Sequence, residues 1–492
     1  MRSPTKYTLL ILSLWLFMVF FLLLRPIDDP DIFTQVKLGE LILDQGSLIT
    51  NDSFTYSLSD VRIPSIGWLA QVMFALLYRF YSWTAVQCVH VLLYSGAFVI
   101  AAMSPSLDSA KKRGDISLFS LAAAVLLAFL VSLNNSSVRP QSFAFFCFSS
   151  LLYVLQSNWH LRTKLLALIP VVLLWQNTHP SLIIGICASA IMLLSSCLAT
   201  FNNPDAAKPW GLLFLLVIIV LAQLATPMGW HLFEIQAQNA LVSHEWVGVT
   251  EWLPPWHEAV RITMLAFWIA LAITVGLITK LKGKVRFADL SMFGAFTVLT
   301  LYACRFAVFW SLVMVPIWAM WIEQAKPATF FSWRGNRQIS IQSLVATFVI
   351  GVIIIGFSVP ILRPSIIDQK SVPIQGIGQL KSVFARGRIY NWSEYGGPLS
   401  FAAYPNWQVT VDGRLYLYNK AFWENYIRTA YGKIPLQEII KRHKPDAFFL
   451  QPGFHHELIA MLRRSQDWRE FYADRMCVIF LPSKSEVTSA HE

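Results

Sequence analysis

Asp28-Asp29-Pro30-Asp31 places three carboxylates directly after an apolar run that ends at Leu24. Carboxylates this close raise one another's pKa or recruit a cation. Asp29 and Asp31 are therefore candidates for a general base or for ligands of a divalent cation. Asp-Pro-Asp also suits a helix start, where a side-chain oxygen caps free N–H groups and Pro fits the first turn. Groups of the opposite kind recur at the edges of later apolar runs, at Arg139, His179 and Arg305. A cation at such an edge marks an anion site or a pathway, or merely extends its head to water. His179, followed by Pro180, equally reads as a helix-end histidine. As functional groups the three would hold a lipid phosphate or pyrophosphate by charge-assisted hydrogen bonds. A further polar stretch carries His244, Glu245 and Glu251, for which a solvated loop is the plainer reading.

The elements that must position these residues are apolar. Hydrophobic residues make up 55% of the 492-residue chain and charged residues 14%, and the mean hydropathy is +0.52. Soluble proteins carry about 25% charged residues, so a soluble enzyme is excluded, as is a disordered or fibrous chain. Apolar runs near 7–24, 84–103, 117–133, 141–157, 165–178, 181–200, 209–226, 262–281, 287–304, 306–323 and 339–362 predict an α-helical polytopic membrane protein with about eleven transmembrane helices. Residues 66–81, broken by Gln71 and Arg79, predict an interfacial or packed helix. No small-x-small cleavage site follows the first run, so it is expected to stay as an uncleaved span. The six cysteines show no CxxC or Cys/His spacing, which gives no disulfide framework and no zinc site.

Net charge is +11, and the loops explain it. With the N-terminus in the cytoplasm, the inner segments hold Arg2, Lys6, Lys111, Lys112, Arg113, Arg162, Lys164, Lys208, Lys280, Lys282, Lys284, Arg286, Lys326, Arg334 and Arg337, which is 15 basic residues. The longer outer segments hold 7: Arg25, Lys37, Arg62, Arg79, Arg139, Arg261 and Arg305. This is the positive-inside bias, so the basic excess is topological and no nucleic acid is expected. The two long outer loops, 25–83 and 227–261, place the work of the protein on the outer face. Residues 1–362 form the membrane domain in this reading. Residues 363–492 differ: strands are expected at Gly387–Trp392, Trp407–Asp412, Ala447–Leu450 and Met476–Leu481, with helices at 394–403, 419–432, 435–443 and 454–465. That alternation predicts a small C-terminal α/β domain on the outer face.

The first outer loop resembles that of the GT-C-type glycosyltransferases, which use polyprenyl-phosphate-linked sugars. The matching pieces are Asp29-Pro30-Asp31, Gly39-Glu40, Gly46-Ser47-Leu48-Ile49, Asp52-Ser53-Phe54-Thr55-Tyr56 and Trp68-Leu69. Arg139-Pro140-Gln141, Trp175-Gln176-Asn177-Thr178-His179, Thr226-Pro227-Met228-Gly229-Trp230, Glu251-Trp252 and Arg305 follow in order. Ile49 stands where Pro is common, and Phe33 near a usual Trp or His. Further on, Trp392-Ser393-Glu394-Tyr395-Gly396 and Val411-Asp412-Gly413-Arg414 are similar to the Trp-Trp-Asp-Tyr-Gly region and the following strand of the oligosaccharyltransferase catalytic subunit. Glu394 replaces Asp and Ser393 replaces the second Trp, so acceptor-peptide binding does not carry over.

The resemblance implies a membrane glycosyltransferase of the inner (plasma) membrane, with a lipid-linked sugar donor and membrane lipid as its partners. Asp29 or Asp31 would activate the acceptor, and Glu251 would face them across a cavity. Arg139, His179 and Arg305 would hold the donor phosphate. Asp52, Glu394, Asp412 and Arg414 would touch the acceptor or serve structure, with Asp412 and Arg414 also readable as a structural pair. A divalent cation on Asp29, Asp31 and Glu251 stays open. The alternative is a non-enzymatic scaffold or lipid-binding protein of envelope assembly that retains the fold.

Overall fold

The computed structural model describes residues 5–58, 61–104, 106–107, 116–202, 208–243, 249–326 and 340–483. Lys111, Lys112, Arg113, His244, Glu245, Arg334 and Arg337 lie outside the described residues, as does Arg2. The chain divides into two compact units. The first comprises residues 1–25, 87–230 and 249–364, and the second residues 26–86, 231–248 and 365–492.

All eleven apolar runs are helical. Six described helices are long and apolar enough to cross a membrane: Lys6–Leu24, Trp68–Ala102, Leu118–Asn135, Leu182–Phe201, Cys304–Ala325 and Ile341–Leu362. Gln141–Gln156, Trp210–Ala222, Leu265–Leu281 and Phe287–Tyr302 are apolar but shorter, and Leu161–Thr178 carries Pro170. The run near 84–103 belongs to the longer helix Trp68–Ala102, whose first part is the expected 66–81 helix. The two parts meet at Ser82, which leaves helical geometry at φ 60° and ψ −168°.

In the first unit, helix Ala307–Ala325 is buried along nearly its whole length. It packs against Leu118–Ser132, Leu265–Leu281 and Phe287–Tyr302. Two of its three buried indoles find partners on those neighbours. Trp310 donates to Thr297 Oγ1 at 2.9 Å and Trp318 to Thr274 Oγ1 at 2.8 Å. An indole N–H left unpaired in an apolar interior is costly. Helix Ile341–Leu362 is the opposite case, with Val359 as its one buried residue. It leans on the first helix, where Trp15 stacks on Phe348 and Gly351 lies against Leu16.

The second unit is built on a five-stranded sheet in the order β2-β1-β3-β5-β4. The strands are β1 Gly387–Asn391, β2 Trp407–Val409, β3 Ala447–Leu450, β4 Trp468–Ala473 and β5 Val478–Pro482. β2, β1 and β3 run parallel, while β5 is antiparallel to both β3 and β4. Side chains alternate across this sheet as a pleat requires. Tyr390, Phe448, Leu450, Val478 and Phe480 enter one core with helices Lys420–Ala430, Leu436–His443 and His456–Arg464. Ile389, Ala447, Phe449, Ile479 and Leu481 enter the other, with Leu380 and Leu399 of helices Ile374–Val383 and Gly396–Ala403. Burial on both faces explains why β3 reads as an unbroken apolar run. The early segment Asp31–Gln45 belongs to this unit and packs on helix Gly396–Ala403. Thr55 forms an isolated bridge to Val409 at the sheet edge.

Candidate active site

In the first unit four of the expected residues come together. Arg139 precedes helix Gln141–Gln156, and Arg305 sits in the 3-10 turn Cys304–Phe306 that leads into helix Ala307–Ala325. Two helix N-termini, each favourable to negative charge, therefore begin beside these guanidinium groups. Glu251 lies between the two arginines in the turn Thr250–Trp252. Arg139 Nη1 donates to Glu251 Oε2 at 2.7 Å, and Arg305 Nη1 stands 3.3 Å from Oε1. The Arg305 guanidinium also lies 4.4 Å from the centre of the Trp252 ring. Backbone contacts hold the turn, with Cys304 N–H donating to Leu253 O at 3.0 Å.

The charge balance of this cluster bears on Glu251 and His179. Burial raises the Glu251 pKa, but Arg305 and Arg139, with a hydrogen bond from Gln141, more than reverse it, leaving it below the usual carboxylate range. Glu251 is thus an ionised clamp on two arginines and a poor base. His179 Nδ1 lies 2.8 Å from Ser181 Oγ, which accepts the Trp175 indole N–H at 2.9 Å. Burial, with the Arg305 charge second, drives the His179 pKa down to about 3. His179 is therefore neutral at physiological pH and offers a hydrogen bond rather than a cation. Two guanidiniums against one carboxylate leave a net positive charge for an anionic ligand.

The second unit holds the remaining residues. Asp29 is buried, and its Oδ1 accepts the Asp31 N–H at 2.9 Å, so it caps the start of helix Asp31–Gln45. The Asp31 carboxylate lies against Gly413. Asp52, Asp412 and Arg414 form a buried ionic triad. Arg414 Nη2 donates to Asp52 Oδ1 and to Asp412 Oδ2, both at 2.6 Å, and Nε donates to Asp412 Oδ2 at 2.9 Å. Thr55 N–H donates to the other Asp52 oxygen at 3.0 Å, and the Arg414 guanidinium lies 5.2 Å from the Phe54 ring centre. Burial alone would lower the Arg414 pKa, but Asp412 and Asp52 hold it well above its ordinary value. Glu394 is exposed on the turn Ser393–Tyr395.

Within each unit, no group of three or more His, Cys, Asp or Glu among the described residues is arranged to hold a metal ion. Both Glu251 oxygens face guanidinium groups, so this carboxylate is not offered to a cation. Gln141, which hydrogen-bonds Glu251, and Trp252 belong to the quoted motifs but were given no role there. Also missed was a polar knot at helix ends of the first unit. There Arg363 Nη1 donates to Gln87 Oε1 at 2.5 Å, Gln87 donates to Arg25 O at 2.7 Å, and Arg25 donates to Leu133 O at 2.8 Å. Its sequence signal is the same as for Arg139, an arginine at the edge of an apolar run.

No family model matches this chain, and no curated protein matches it by sequence. Its fold, however, is found among solved structures. ArnT from Cupriavidus metallidurans bound to undecaprenyl phosphate is similar with a TM-score of 0.56 and 11% identity, over 96% of this chain and 97% of that one. Its apo structure gives 0.54 and 12%, with the same coverage of 96% and 97%. The Archaeoglobus fulgidus oligosaccharyltransferase, tethered to an acceptor peptide containing the NVT sequon, gives 0.55 and 12% over 97% of this chain and 74% of that one. Both proteins are GT-C glycosyltransferases. The chain is a membrane protein with the GT-C fold.

Proposed function

We propose that the protein is a membrane glycosyltransferase that moves a sugar from a polyprenyl-phosphate-linked donor to an acceptor on the outer face of the membrane. The observation that carries this reading is the Arg139–Glu251–Arg305 cluster on a GT-C fold. The solved ArnT of that fold binds undecaprenyl phosphate. Transfer breaks the bond between the sugar's anomeric carbon and a phosphate oxygen, and forms one to the acceptor oxygen. Negative charge grows on the departing phosphate, and the acceptor loses a proton. Each unit is assigned one of these needs. In the first, Arg139 and Arg305 stabilise the departing phosphate, Glu251 fixes their orientation, and His179 contributes a neutral hydrogen bond. In the second, Asp31 takes the acceptor proton. Asp29 supports Asp31 through the capping bond rather than acting as the base.

The test is turnover of a panel of polyprenyl-phosphate sugars by the purified full chain in lipid nanodiscs. Asp31→Asn is expected to lower kcat by about 10², the scale for losing a general base, with insertion and melting temperature preserved. Arg305→Ala is expected to raise the donor KM. An absence of turnover with every donor, together with intact binding of polyprenyl phosphate, would replace the enzyme reading with that of a lipid-binding scaffold.

A further inference from the structure

The segment Gly396-Gly397 and the turn Val411–Arg414 form the surface on which the Asp29–Thr34 stretch rests. Each glycine is there because something occupies the place of its missing side chain. A β-carbon on Gly396 would come within 2.2 Å of the Val411 carbonyl oxygen. One on Gly397 would come within 2.6 Å of Thr34 Oγ1 and 2.7 Å of the Pro30 carbonyl oxygen. One on Gly413 would lie 1.9 Å from Asp31 Oδ1 and 2.9 Å from its Cγ. None of the three has a positive φ, so space rather than backbone conformation demands glycine. The obstacles differ in kind. At Gly396 it is backbone, and at Gly397 backbone as well as a hydroxyl. At Gly413 it is the far end of a short side chain, the Asp31 carboxylate itself.

The turn that carries Gly413 is held from several sides. Asn391 at the end of β1 donates from Nδ2 to Val411 O at 2.8 Å and accepts the Thr410 N–H on Oδ1 at 2.9 Å. Asp412 N–H donates to the Tyr418 hydroxyl at 3.3 Å. Arg414 N–H donates to Asp412 Oδ1 at 3.0 Å, and the Arg414 head is locked in the triad. Gly413 thus lies between two anchored residues, so a new β-carbon there would displace the Asp31 carboxylate rather than the turn.

From this juxtaposition we infer that Gly413 is a positioning residue for Asp31: its bare backbone is the seat that fixes where the carboxylate points. The inference rests on the reading of Asp31 as the base of a glycosyl transfer. Gly413→Ala leaves the fold intact and turns the Asp31 carboxylate out of place. A misplacement of about 1 Å can cost up to about 10²-fold in rate.

The experiment measures kcat, donor KM and melting temperature for the full chain carrying Gly413→Ala. Gly378→Ala serves as control, because a β-carbon there meets nothing within 4 Å. The expected result is a kcat at least about tenfold lower for Gly413→Ala, with donor KM and melting temperature unchanged and Gly378→Ala like wild type. In an Asp31→Asn background, Gly413→Ala should cause no further loss, since the group it positions is already disabled. Wild-type kcat in Gly413→Ala, beside a disabled Asp31→Asn, overturns the inference and leaves the proposed function standing. A fully additive loss in the double variant, or a lost rate with a lowered melting temperature, also overturns it. If Gly413→Ala fails to accumulate and Asp31→Ala/Gly413→Ala recovers, the contact serves folding, which again refutes a positioning role. No turnover by the wild type removes the reading itself, and the inference with it.

Discussion

At the scale of single residues, the Asp52–Asp412–Arg414 triad carries the clearest consequence. Arg414 is buried with two carboxylates as its counter-charges. Removing one partner of a buried pair leaves an uncompensated charge and costs about 3–5 kcal/mol. Asp412 also supplies the Arg414 Nε contact and the backbone N–H contact of the turn. Asp412→Ala should therefore lower the melting temperature by on the order of 10 °C, given about 2–4 °C per kcal/mol in a unit of this size. Asp52→Asn, which keeps an acceptor oxygen, should cost less. Differential scanning fluorimetry in detergent checks both, and an unchanged melting temperature in Asp412→Ala with lost transfer would move Asp412 into the active site. The Asp412–Arg414 pairing was legible because the two lie two residues apart at a strand end. The Asp52 contact was not, because 362 residues separate it from Arg414 and only tertiary folding joins them. For the same reason Asp29 and Asp31 looked equivalent in sequence, while folding assigns one to a cap and the other to a glycine seat.

Among the elements, legibility followed burial. β3 was expected at Ala447–Leu450 and lies there, because four consecutive apolar residues bounded by Pro445-Asp446 and by Gln451-Pro452-Gly453 leave little choice. β4 was missed: Trp468–Ala473 is an edge strand carrying Arg469 and Glu470 outward, with no apolar alternation to betray it. Helix Ile374–Val383 was missed because two glycines dilute its pattern. The element that begins at His455 yields a pH prediction. His455 is buried before helix His456–Arg464, its ring 4.8 Å from Phe454 and 6.1 Å from Tyr426, and burial drives its pKa down to about 3. In the unfolded chain a histidine titrates near 6.5. Between those values the unfolded state binds the extra proton, so stability is full above about pH 6.5 and falls as the pH drops toward 3. The slope is at most about 1.4 kcal/mol per pH unit for one site. His455→Phe should flatten the fall in melting temperature between pH 6.5 and 4.5 without loss at pH 7.5. A steeper acid fall in the variant would contradict the assignment.

For the molecule as a whole, the membrane character was readable because the bilayer acts on composition directly: a segment that must lie in hydrocarbon has to be apolar along its length. All eleven apolar runs accordingly fold as helices, even where Pro170 interrupts one. The number that cross the bilayer was harder to read, because helices such as Trp210–Ala222 are only 13 residues long. A helix rises about 1.5 Å per residue, so 13 residues cover about 20 Å of a hydrocarbon core about 30 Å thick. Orientation follows from a different physical rule, the retention of Lys and Arg in cytoplasmic loops. The inner segments of the proposed topology hold 15 basic residues and the outer ones 7, although the outer segments are longer. In that proposed topology the N-terminus would be cytoplasmic, and eleven crossings would carry the residues after Leu362 to the outer face. That arrangement also suits the proposed chemistry, because every residue given a role, from Asp31 to Arg305, falls in an outer loop or at an outer helix end. A reporter that is active only outside the cytoplasm, fused after Glu492, should be active, and the same reporter fused within 280–286 should be silent. The reverse pattern would place the Arg139–Glu251–Arg305 cluster on the cytoplasmic side and refute a transfer reaction on the outer face, whatever the in vitro activity.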